Sequence, residues 1–177
     1  VFADGSNIAG TLTIGSGTTL QINRSTGNSG TTTGDFVTTG LAGTGTITNG
    51  AALTDRSIQS NNTTDCTFGG TLADGGAAKL ALNKQGTGTL FLTGTSTYTG
   101  QTVVGGGIIN VGSSSALGNS YNVREVTRNA GIQLQGGISL PATITFTLSN
   151  DGIGAVPYAI ANVSGNNTIN GQITMTS

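Results

Sequence analysis

The side chains able to carry a reaction are few and far apart in this sequence. Histidine is absent, which removes the commonest general base, the usual activator of a nucleophile and the commonest metal ligand. Acid–base work would fall to Asp4, Asp35, Asp55, Asp65, Asp74, Glu125 and Asp151, which are scattered singly along the chain. Asp55 and Asp74 are spaced so that successive coils of a solenoid could stack them, and paired carboxylates in a groove are what glycosidic-bond cleavage requires. Glycine neighbours such as Gly75 favour a plainer role, in which these aspartates cap turns by accepting backbone hydrogen bonds.

Cys66, the one cysteine, has no histidine to activate it and no second cysteine to pair with, so it reads as a buried or incidental thiol. Gly105-Gly106-Gly107 lacks the following lysine and helix of a phosphate loop. No run supplies the regular aspartate-in-glycine frame of calcium-binding rolls. Neither a cofactor nor a metal ion is expected.

The elements that would position these residues are built from an unusual composition. Of 177 residues, 31 are glycine and only 7% are charged, against about 25% charged in a typical soluble domain. A net charge of −1 gives no field with which to hold phosphates or an anionic bilayer, so nucleic acid is not an expected partner. No stretch approaches the roughly 20 apolar residues of a membrane span, and insertion through such a span is not expected. The chain opens on Val1 and reads as a segment or processed form of a longer secreted protein.

Alternation of apolar and polar residues between glycines or asparagines recurs throughout. It predicts strands at Thr11–Ile14, Thr19–Ile22, Lys79–Leu82, Thr89–Leu92, Gly131–Leu134, Thr143–Leu148 and Gln172–Met175. Helical spacing is broken everywhere by glycine, and the charged stretch Tyr121–Arg128 reads as a solvated loop or strand. Tight hairpin signals such as Asn49-Gly50 and Asp74-Gly75 are fewer than the strands, and short similar units repeat. These features favour an all-β parallel β-helix forming one domain over 1–177. Coils of about 20 to 25 residues would make roughly seven or eight turns.

Residues 82–119, LNKQGTGTLFLTGTSTYTGQTVVGGGIINVGSSSALGN, carry the most regular unit. Lys84, Gly86, Gly88, Thr89, Leu90, Leu92 and Gly94 are followed by Thr97, Tyr98, Gly100 and Thr102, then by Gly106, Gly107, Ile109 and Val111. This pattern resembles the autotransporter-associated β-strand repeat, also called the passenger-associated transport repeat. Weaker echoes occur at Gly10–Ile22 and Ser164–Ile173. The resemblance implies a right-handed parallel β-helix within a large secreted bacterial passenger protein, where the repeat accompanies export and surface display. It brings no catalytic residues.

Leu90, Leu92, Ile109 and Val111 should point inward with the glycines at corners, while Tyr98 should cover an adjacent layer and keep its hydroxyl wet. The expected function is that of a non-enzymatic extracellular structural protein, a β-helical surface stalk or filament element. Its expected partners are copies of itself, joined end to end, or the rest of a longer chain. The alternatives are an adhesin module binding glycans or a host surface and an atypical polysaccharide-active β-helix enzyme.

Overall fold

A computed structural model describes residues 7–22, 36–50, 54–119, 121–125, 129–149 and 154–176. In chain order the strands are β1 (Asn7–Ile14), β2 (Thr19–Ile22), β3 (Phe36–Gly43), β4 (Thr46–Asn49), β5 (Arg56–Ser60) and β6 (Cys66–Phe68). They continue with β7 (Thr71–Ala73), β8 (Leu80–Lys84), β9 (Thr89–Leu92), β10 (Thr102–Val104), β11 (Gly107–Val111) and β12 (Val123–Glu125). The last six are β13 (Ala130–Gln135), β14 (Ser139–Leu140), β15 (Phe146–Leu148), β16 (Ile160–Ser164), β17 (Thr168–Ile169) and β18 (Ile173–Met175). No helix occurs among the described residues.

All pairings between these strands are parallel, and each links a strand to one a full coil later. Three faces result. One runs β1-β3-β6-β9-β11-β13-β16, and a second runs β3-β5-β8-β10-β12-β15-β18. The long strand β3 bends from the second to the first, so the two form one continuous sheet. The third face is lighter, with β2-β4-β7 at one end and β14-β17 at the other.

The molecule is therefore a parallel β-solenoid of about six turns, fewer than the seven or eight expected. The difference lies in coil length. Leu82 pairs with Thr102, only a short coil later, whereas Asn7 pairs with Val37 and Leu134 with Asn162. Longer corners at those places absorb chain that uniform coils would have spent on further turns.

The core is a set of rows running along the solenoid axis. On the first face Cys66, Leu90, Ile109, Ile132 and Ile160 stack in register, and beside them Phe68, Leu92, Val111 and Leu134. On the second face Phe36, Ile58, Leu82, Thr102, Val123, Phe146 and Ile173 form the matching row. Burying each large apolar side chain is worth about 1.5–3 kcal/mol, and no single layer is thick enough to do so without its neighbours.

Most of the strands read from alternation are present, with β2 and β9 at the expected bounds. The strand expected at Thr143–Leu148 is confined to Phe146–Leu148, because Pro141 begins a turn that Ile144 closes by donating to the Pro141 carbonyl. Within Tyr121–Arg128, residues Val123–Glu125 form β12, while 126–128 lie outside the described residues. Asp4, Asp35 and Asp151 also lie outside them.

Candidate functional site

The repeat occupies β8 to β11, two consecutive coils in the middle of the solenoid. Leu90, Leu92, Ile109 and Val111 all face inward and are at most 2% exposed. Lys84 also faces inward. In β8 its parity matches Leu80 and Leu82, and its side chain is fully buried. The ammonium escapes isolation at the corner after the strand, where it donates to the carbonyl oxygens of Gln85 (2.7 Å), Gly86 (3.2 Å) and Gly106 (3.1 Å).

These three carbonyls belong to two successive corners, so one lysine ties a turn to the next. A buried cation requires such partners. Burial lowers its pKa from the usual 10.5 to about 8, against the opposing pull of Cys66 and Asp65.

The glycines of the repeat make this corner possible. Gly86 has a φ of +76°, and a side chain there would drive into the Asn62 carbonyl of the preceding turn. Gly107, at φ +62°, would place a Cβ against the Lys84 ammonium at 2.9 Å. Gly88, Gly94 and Gly100 each sit against backbone carbonyls one coil earlier, those of Thr64, Gly70 and Leu80. The corners stack backbone on backbone.

Tyr98 departs from expectation. It is fully buried, and its hydroxyl lies 2.7 Å from the Thr102 hydroxyl, itself buried at the start of β10. The hydroxyl is dry rather than wet. Burial pushes its pKa well above the usual tyrosine value. The reason is the next coil: Gly118 packs on the Tyr98 backbone and ring, and Asn119 donates its amide to the Tyr98 carbonyl at 2.8 Å. Thr97 is exposed, and its amide donates to Leu72 on the previous turn.

The aspartates act as caps, each reaching a group of the following coil, and Asp74 also caps an amide of its own coil. Asp65 accepts from the Thr89 amide at 2.8 Å and Asp55 from the Lys79 amide at 2.8 Å. Asp74 accepts from the amides of Leu80 (2.7 Å) and Thr99 (3.1 Å) and from the Thr99 hydroxyl (2.6 Å). Asp55 and Asp74 thus converge on two consecutive amides, as the spacing allowed, and each carboxylate is engaged by backbone.

Beside them the Lys79 ammonium lies 5.7 Å from the centre of the Tyr121 ring. Among the described residues no group of three metal-ligating side chains comes together. The threefold use of Asp74 and the three-carbonyl seat of Lys84 were missed by sequence reasoning. Their only signal was a charged residue placed at strand-to-corner junctions.

Residues 82–111 match the model of the passenger-associated-transport-repeat, and the chain carries that repeat. The match begins within β8 and ends where β11 ends. The chain is also 33% identical over 159 residues to the adhesin BmaC autotransporter of Brucella suis biovar 1 (strain 1330). That alignment takes in 89% of this chain and 4% of the adhesin, so the chain spans a small fraction of its relative's length. No solved structure matches the chain.

Proposed function

We propose that this chain is part of an autotransporter-like passenger and serves outside the cell as a non-enzymatic β-solenoid stalk, wound right-handed as parallel crossovers nearly always are. The observation that carries this reading is the unbroken axial register of the core rows through the repeat, from Cys66 to Ile160 on the first face. Such a rod transmits its axis from turn to turn and needs no partner to hold its shape. The adhesin-named relative and the low charge support a place on the cell surface. The carboxylates best placed for chemistry, Asp55 and Asp74, are occupied as caps, which favours scaffold over catalyst.

Deleting whole coils tests the reading. Removal of residues 82–122, two complete turns by the register Leu82–Thr102–Val123, should shorten the projection of the displayed protein by about 10 Å, at roughly 4.8 Å per turn, and leave the remaining rod folded. A collapse of the whole solenoid, or an unchanged projection, would contradict a stalk made of additive turns. Incubating the intact chain with polysaccharides and assaying for new reducing ends tests the enzymatic alternative directly. Release of such ends that disappears on replacing Asp55 and Asp74 would overturn the scaffold reading.

The adhesive reading stands second. It is supported by the relative's name and by an uncharged, amide-bearing outer surface on the first face, where β9, β11, β13 and β16 contain no charged residue.

A further inference from the structure

The third face gathers into one column threonines that lie at unequal intervals in the sequence. Thr19 of β2, Thr46 of β4 and Thr71 of β7 stand in direct register. One coil further the Thr97 amide donates to the Leu72 carbonyl at 2.8 Å, and the Leu72 amide donates to the Ser96 hydroxyl at 3.1 Å. These bonds set Thr95 over Thr71 and Thr97 over Ala73. A second column therefore runs beside the first, through Gln21, Thr48, Ala73 and Thr97.

The residues between the two columns, Leu20, Ile47, Leu72 and Ser96, are buried, so both columns face outward. Thr19 and Thr95, at the ends of the first column, are exposed, as is Thr97, while Thr46 and Thr71 are half-buried between their neighbours above and below. The hydroxyls of Thr19, Thr46, Thr71 and Thr95 make no hydrogen bond among the described residues, whereas that of Thr48 donates to the Asp74 carbonyl at 3.1 Å. Beyond Thr95 the face continues with exposed hydroxyls, Ser139 standing in register with Thr168.

The result is a grid. Successive coils lie about 4.8 Å apart and outward residues two apart on a strand about 6.6 Å apart, each less than an ångström from a repeat of the water oxygens in the ice lattice. Threonine suits such a surface, because its branched Cβ holds methyl and hydroxyl in few rotamers and little freedom is lost on contact. The strands β2, β4 and β7 contain no charged residue, which would keep its own hydration shell, and no aromatic ring on which a sugar could stack.

We propose that the outer surface of the third face adsorbs to ice, with Thr19, Thr46, Thr71, Thr95 and Thr97 as its contact residues. Each contact is weak, and adsorption comes from many of them meeting one lattice at once. A single bulky side chain in the column therefore lifts the whole face away. This property goes beyond the stalk reading and does not depend on the adhesive one.

The test grows polycrystalline ice slowly in a dilute solution of the fluorescently labelled 177-residue chain and measures the protein in the ice fraction against labelled serum albumin. Thermal hysteresis is read on the same samples. The chain should be taken up into the ice and should hold back crystal growth, more so as its concentration rises. Thr71→Tyr and Thr95→Tyr should each lose both effects. Thr67→Tyr, at an exposed outward position of β6 on the first face, should retain them. Circular dichroism establishes that each variant keeps its strands, and either of the two third-face variants suffices if the other does not fold.

Exclusion of the unmutated chain from ice would overturn the proposal. Uptake that survives Thr71→Tyr and Thr95→Tyr would overturn the assignment to the third face, as would an equal loss in Thr67→Tyr. Pelleting with microcrystalline cellulose through the same threonines, without uptake into ice, would replace ice by a crystalline polysaccharide. None of these results bears on the stalk reading, which the coil deletion tests separately.

Discussion

Lys84 is a charge held inside a prism whose other inward rows are mostly apolar, and its seat predicts how the fold responds to pH. Its folded pKa, about 8, lies below the 10.5 of the free side chain because burial disfavours the ammonium. Between these values the unfolded chain binds more protons than the folded one, so stability rises with pH across that window and is lost again as pH falls through 8. Tyr98 acts in the opposite sense. Its folded pKa is raised above 10.0, so its stabilisation is complete below pH 10 and is lost above it. The melting temperature should therefore climb from pH 8 to about pH 10 and then fall. Lys84→Met should flatten the climb and, by leaving three carbonyls without their donor, destabilise the protein by about 1–3 kcal/mol in denaturant titrations. Tyr98→Phe should cost about 1 kcal/mol through the lost Thr102 bond and remove its share of the fall above pH 10.

The corners decide whether a strand can follow the one below it. At Gly86 a side chain meets both an unfavourable φ and the carbonyl of Asn62, so Gly86→Ala should destabilise by on the order of 2 kcal/mol in chemical denaturation. Gly76 offers a contrast: its φ is also positive, at +89°, but nothing lies near a Cβ there, so Gly76→Ala should show the conformational cost alone, about 1 kcal/mol. Equal losses at the two sites would mean that backbone stacking contributes nothing at the Gly86 corner.

The same distinction explains what the sequence disclosed at this scale. β2 and β9 were legible because their inward residues are leucine and isoleucine in strict alternation. β3 and β5 were not, because the rows they feed contain inward polar groups: Thr38 and Ser60 are fully buried in register below Lys84. Ser60 donates to Asn62, and Asn62 donates to the carbonyls of Thr64 and Thr89. A polar residue whose partner is a backbone carbonyl one coil away looks, in one dimension, like solvent-facing surface.

For the molecule as a whole, the last turn differs from every turn beneath it. β16 and β18 end the long sheet, and on β18 all three residues are exposed, Ile173 at 46% and Met175 at 64%. Val163 on β16 adds another apolar side chain at 53%. Below them Phe146 and Leu148, the register partners of Ile173 and Met175, are buried, so burial is lost only where no further coil follows in the described structure. A parallel edge with unpaired N–H and C=O groups and an apolar rim is a template for another strand. A following coil of a longer passenger or the end of a second copy would satisfy it equally by pairing. The isolated chain should therefore associate with rising concentration in sedimentation velocity, giving elongated species. Replacing Val163 and Met175 with lysine should return it to monomer while leaving the melting temperature nearly unchanged, since neither side chain is in the core. Association that persists in the double variant would place the contact elsewhere on the rod; a monomer at all concentrations would mean that the rim contributes too little to outweigh the entropy of docking.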